Sequence, residues 1–123
     1  MRKRTYNGWI TDGQPVICYY GTDTVTDLLE LSTLQNLMYA GPVAWGRPGG
    51  GAELLAKVLL WHAAGDYDVA DQLCTMFAHD VVQHMGQVWE LEREWVRDWI
   101  LINRKFLTPS FGYPFNWIRP CLN

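Results

Sequence analysis

The chain has 123 residues, 49% of them hydrophobic and 19% charged, with a formal net charge of −3. That balance fits one folded domain burying about 65% of its unfolded surface, and it excludes a disordered chain. It also argues against the broad basic field of a nucleic-acid-binding protein and against the dense negative charge of a DNA mimic.

Cys18, Cys74 and Cys121 are odd in number and widely spaced, with no C-x-x-C pair. Neither a zinc knuckle nor a disulfide framework is indicated, and reduced thiols in a cytoplasm fit best. The Met1-Arg-Lys-Arg start is basic, but Tyr6 to Asp12 supplies no signal-peptide apolar stretch. No apolar run approaches the ~20 residues of a membrane span. The expectation is a cytoplasmic protein without a membrane partner.

In chain order, Arg2-Lys3-Arg4 reads as a solvated arm. Tyr6 to Ile10 and Val16 to Tyr20 are rich in aromatic and β-branched residues, and Asp12-Gly13 between them is a strong hairpin signal. Pro15 limits pairing at the start of the second strand. Gly21-Thr22-Asp23 turns the chain. Leu28, Leu31, Leu34 and Leu37 then repeat every three residues, as a helix with a narrow stripe would.

Gly41 to Gly65 holds the densest glycine, with Gly46, Gly49, Gly50 and Gly51 leading straight into a helical run. The spacing predicts a helix from about Ala52, with Glu53 complementing its dipole. Leu54, Leu55, Val58, Leu59 and His62 share one face, and Gly65 stops the helix. Asp66 caps the next helix. Its apolar face is Val69, Leu73, Met76, Phe77, Val81 and His84, and Gly86 ends it. The link Gly65-Asp66 is so short that these two helices are expected to be antiparallel neighbours. Glu90, Glu92 and Glu94 open a third helix that Arg104 and Lys105 close, with Trp95, Trp99, Ile102 and Phe106 as its main stripe.

From Thr108 to Asn123 no periodicity runs, and the segment holds three of the six prolines with Phe111, Tyr113, Phe115 and Trp117. The expected organisation is one α+β domain over residues 1–107, a small N-terminal antiparallel β-hairpin or sheet packed against about three helices. Residues 108–123 form an irregular aromatic tail packed on it, because rings of that size are seldom left exposed in a monomer.

Few residues suggest chemistry. His62 followed by His79-Asp80 has the H…H-D order of metal-dependent phosphohydrolases, but His79 falls on a polar face while His62 and His84 fall on apolar stripes. No Gly-Lys-Ser/Thr follows the glycine run, so it is not a P-loop, and it lacks the context of a dinucleotide fingerprint. Two readings stay open for it: a tight turn under Trp45, or consecutive amides beside Arg47 that hold a phosphate or a partner's carboxylate. No serine or cysteine is flanked by a base, and Cys74 sits among apolar helix neighbours. No catalytic residue, metal site or cofactor is expected.

Trp45-Gly46, the glycine run and Leu55-Ala56 resemble the core motif F-x-W-G-Y-G-G-S-G-P-x-x-L-A of a small uncharacterised domain family of phages, plasmids and bacteria. The similarity continues through Leu59, Gly65-Asp66, Val81-Val82 and Trp89-x-Leu91. It also takes in Arg4-Thr5-Tyr6-x-Gly8 and Asp12-Gly13-x-Pro15-Val16, so it covers roughly residues 4 to 100. Arg47-Pro48 inside the motif, and Ala52 where the family favours proline, are departures. The resemblance implies a third strand around Leu28 to Leu31, here followed by a helical turn from Ser32 to Met38. It implies a mobile-element setting in a bacterial cytoplasm and no particular activity.

The expected function is that of a non-enzymatic binding protein, with a host or defence-system protein as partner. Seven tryptophans support this, since Trp and Tyr are enriched at binding hot spots. The expected binding residues are Trp45, Arg47, Gly49, Gly50, Gly51, Tyr113 and Trp117. A homo-oligomer is compatible with this reading. The alternative is a small-ligand binder that sequesters a nucleotide or phosphorylated metabolite on Arg47, the glycine amides and Trp45. A phosphohydrolase through His62, His79 and Asp80 stands third.

Overall fold

The structure, a computed structural model, describes residues 3–34 and 42–108. Strands β1 (Thr5–Thr11) and β2 (Gln14–Tyr20) form the expected hairpin, paired from Thr5↔Tyr20 to Thr11↔Gln14. Asp12 and Gly13 both have positive φ, 52° and 75°, as a two-residue turn that matches strand twist requires. β3 (Val25–Asp27) adds to β2, and β4 (Trp89–Glu92) adds to β1, giving an antiparallel sheet of order β3-β2-β1-β4.

Alternation sorts the sheet into two faces. Tyr6, Ile17 and Trp89 are buried on the inner face, with Tyr19 and Leu91 packed beside them. Thr5, Asn7, Cys18, Tyr20, Glu90 and Glu92 lie on the other. Gly8 pairs with Trp89, and a Cβ there would come within 2.3 Å of the Trp89 ring. Only glycine lets the indole lie against the strand.

The helices α1 (Leu28–Leu34), α2 (Gly50–Ala64), α3 (Tyr67–Asp80) and α4 (Arg93–Ile102) complete an α+β fold. α2 and α3 run antiparallel, as their side-chain pairs show: Lys57 meets Asp71 at 3.0 Å, and one turn away Glu53 accepts from Thr75 at 3.3 Å. Asp66 caps α3 by accepting from the amides of Asp68 and Val69. Gly65 takes the left-handed conformation and returns its N–H to the Trp61 carbonyl.

Four sequence expectations are corrected. The strand expected at Leu28–Leu31 lies earlier, at Val25–Asp27, and Leu28–Leu34 is helical; residues 35–38 of the turn expected at Ser32–Met38 lie outside the described residues. The reason is Asp27, whose carboxylate accepts from the amides of Leu29 and Glu30 and starts the helix there. α2 begins at Gly50 instead of Ala52, and it is buried on most sides, including Ala52, Ala56, Leu60, Ala63 and Ala64, rather than along one stripe. α3 ends at Asp80 and not near Gly86. Val81 leaves helical geometry, a 3₁₀ turn covers Val82–His84, and His84 is exposed.

The fourth correction concerns the acidic run. Trp89-Glu90-Leu91-Glu92 is a strand, read by its period of two, and the helix opens only at Arg93. The face expected to be the main stripe of α4 is largely outside. Val96 and Ile100 are buried, whereas Trp95 is 46%, Ile102 72% and Phe106 53% exposed. Trp99 alone of that stripe packs inward, edge-on to Phe77 at 4.8 Å between centroids. Thr108 is held by Gln72 of α3, which donates to its carbonyl at 2.6 Å and accepts from its amide at 2.8 Å. The tail expected to pack on the domain lies beyond it, outside the described residues.

Candidate functional site

The glycine-rich segment brings most of its expected residues together. Arg47, Pro48, Gly49, Gly50 and Gly51 line an opening of about 550 Å³ with Pro42, Ala44, Ala52 and Leu54. Gly49 stands before α2 with φ 136° and offers no side-chain cap. Glu53 N–H bonds the Gly49 carbonyl, and Ala44 N–H bonds the Gly51 carbonyl. The amides of Gly50, Gly51 and Ala52 have no backbone acceptor among the described residues, as at any uncapped helix start.

The glycines here are not equivalent. A Cβ on Gly51 would sit 2.8 Å from the Ala44 Cβ and 3.0 Å from the Ala44 nitrogen, so packing explains this residue. A Cβ on Gly50 would meet nothing within 4 Å. Gly50 is exposed on the opening, and the fold does not require it to be glycine. Arg47 is exposed beside it with no ion pair among the described residues. A cation next to the positive end of a helix is adverse until an anion arrives.

Trp45 does not line this opening. It is half-buried against the core, edge-on to Trp89 at 5.8 Å between centroids. Tyr113 and Trp117 lie outside the described residues. His62, His79 and Asp80 do not gather. His62 is half-buried among tyrosines, while His79 and Asp80 are exposed and pair with each other at 3.4 Å. Among the described residues no three His, Cys, Asp or Glu side chains are grouped as a metal site. Burial raises both the Cys18 and the Cys74 thiol, which keeps them protonated and poorly nucleophilic.

A second polar cluster escaped sequence reasoning. At the C-terminal end of α2, the Tyr6 hydroxyl and His62 Nδ1 share a hydrogen bond of 2.9 Å, and the Tyr19 ring lies 4.4 Å from the imidazole. Burial and then the charge of Arg93 hold His62 down at about 4, so its ring is neutral at pH 7. Burial pushes the Tyr6 phenol well above its usual range. Two arginines of α4 converge on one oxygen: Arg97 Nη1 donates to the Ala63 carbonyl at 2.7 Å and Arg93 Nη2 at 3.4 Å. The only local trace of this in the sequence is the i, i+4 spacing of Arg93 and Arg97, which puts both on one helix face. Tyr6, His62 and the arginine pair are brought together by tertiary structure.

A second opening, about 450 Å³, lies on the outer face of the sheet among Lys3, Thr5, Asn7, Tyr20 and Glu90. It is polar and open. No helix of the described residues is long and apolar enough to cross a membrane.

Among known proteins, the model of DUF6166, a family of unknown function, matches residues 6–102. No curated protein and no solved structure matches the chain.

Proposed function

For a chain that belongs to this family of unknown function, we propose a non-enzymatic role: binding another protein in the setting of a phage or other mobile element, with a component of a bacterial defence system as the target class. The setting rests on the glycine-motif resemblance. The observation that carries the binding role is the exposed row Trp95, Ile102 and Phe106 on and just after α4. Large apolar side chains grouped at a surface are characteristic of partner contacts, and Trp is a frequent energetic anchor. The same helix buries Val96 and Ile100, which anchor it to the core and give the outward row a rigid support.

The test pairs the wild type with a Trp95→Ala/Ile102→Ala double variant. Because both side chains face outward, the variant is expected to keep the wild-type Tm. Expressed in a bacterium that carries a phage-defence system, the wild type restores plaque formation and captures a stoichiometric component of that system. The variant does neither. Equal activity of the two proteins, or no effect of the wild type across a panel of defence systems, overturns the reading.

A second reading is supported by the opening at the start of α2: capture of a nucleotide or phosphorylated metabolite by Arg47 and the amides of Gly50 and Gly51. Calorimetric titration with linear and cyclic nucleotides tests it. Binding lost in Arg47→Gln supports it, and no heat at high micromolar concentration removes it.

A further inference from the structure

The cluster at the other end of α2 has more positive charge and more donors than its surroundings use. Capping the last turn of a helix takes one or two N–H groups, and the helix end supplies about −0.5 charge. Here two whole guanidiniums, each a fork of about five N–H donors, meet the Ala63 carbonyl oxygen, and beyond it Arg93 hydrogen-bonds only the Tyr6 hydroxyl among the described residues. Neither arginine has a carboxylate within ion-pair distance among the described residues, whose three ion pairs are Lys3–Glu92, Lys57–Asp71 and His79–Asp80. Arg93 Nε is buried and has no acceptor among the described residues. Tyr6 and His62 are both neutral at pH 7 and bring no negative charge.

We propose that Arg93 and Arg97, with the Tyr6–His62 pair and the Tyr19 ring beside them, form a site for a phosphate-sized oxyanion. Two guanidinium charges against half a charge from the helix end leave about +1.5, close to the ~−1.5 to −2 of a phosphate monoester near pH 7. Planar guanidiniums match phosphate oxygens with paired N–H groups, which is the geometry that arginine is used for in phosphate recognition. Access is available: Arg93, Arg97, His62 and Tyr19 are each only half-buried. The site is separate from the opening beside Arg47, which lies at the opposite end of the same 15-residue helix.

The experiment titrates the full chain with inorganic phosphate at constant ionic strength, following the His62 ring resonances by NMR and the Tm by calorimetry. A saturable shift of the His62 signals and a rise of a few degrees in Tm are expected. Acetate, with one charge, should bind at least tenfold more weakly. Arg97→Gln should abolish the phosphate response, Arg97→Lys should keep part of it, and Arg47→Gln should leave it intact. The His62 signals locate the site in the wild type even if an arginine variant folds poorly. No saturable His62 shift overturns the proposal, and so does a response lost in Arg47→Gln but kept in Arg97→Gln. Because partner capture through α4 is read separately, failure here leaves the binding role standing, and the reverse.

Discussion

At its first turn α2 leaves the amides of Gly50, Gly51 and Ala52 without backbone acceptors among the described residues, with Arg47 alongside. At its last turn Gly65 folds its N–H back to Trp61, and two arginines crowd the Ala63 carbonyl. One end is unfinished and the other is finished more than once, yet both collect positive charge. At the start, that charge opposes the helix dipole. At the finish it agrees with the dipole and exceeds it. The lesson is that a net charge of −3 says little about local fields. An acidic chain of this size still gathers three of its arginines at the two termini of its most buried helix.

Substitutions can break this contrast, beginning with the largest effect. Gly51→Ala forces a Cβ against the Ala44 backbone, where no flexible side chain can give way, and should cost about 1–3 kcal/mol, read as a lower Tm. Next comes acid. The folded His62 titrates at about 4, below the ~6.5 of an unfolded chain, so the unfolded state takes up the proton first. Stability from this group is full above ~6.5, falls as the pH drops from there to about 4, and is level below that. With solvent screening of a half-exposed ring, about 2 kcal/mol is expected. Melting curves of wild type and His62→Gln between pH 7.5 and 4, in phosphate-free buffer, should converge as the pH falls. Parallel curves would show that the ring titrates normally.

The smaller effects sharpen the contrast. Gly65→Ala keeps open space around its Cβ but must hold φ at 70°, and about 1 kcal/mol of destabilisation follows. Gly50→Ala should do almost nothing, within ~0.5 kcal/mol, because neither space nor backbone angle forbids a side chain. A large loss of stability in Gly50→Ala would mean that the turn depends on this residue after all. An unchanged Tm with lost ligand binding would mark it as part of a site.

Much of the scaffold could be read from short-range chemistry. Asp12-Gly13 announced the hairpin, and Gly65-Asp66 announced both the end of α2 and the cap of α3, because those residues act on their immediate neighbours. β4 was hidden because its glutamates looked like a helix start, and what makes Trp89–Glu92 a strand is an edge of β1 some eighty residues away. The register of α4 was misread for a related reason. Hydrophobicity points inward in most helices, and nothing local reveals that Trp95, Ile102 and Phe106 face out. Of the site, Arg47 and the glycines were legible as a loop before a helix. Trp45 was assigned to them by proximity in sequence, whereas its ring turns to Trp89. The Tyr6–His62–Arg93–Arg97 cluster joins three elements and has no linear signature.

The sheet also bears on how the protein behaves when crowded. Its two long strands are central, and among the described residues each is covered only in part: β4 pairs with Thr5 to Gly8 of β1, and β3 with Cys18 to Tyr20 of β2. The hairpin tip, Trp9 to Ile17, therefore offers its outer edges to any extended chain that comes by, as a template for unwanted growth of the sheet. Pro15 lies in that uncovered stretch, opposite Ile10, and has no N–H to offer an incoming strand. The proline that marks the start of β2 thus also interrupts the ladder on which one copy could recruit the next, and Pro15→Val, though a better strand former, should leave the protein more prone to aggregate.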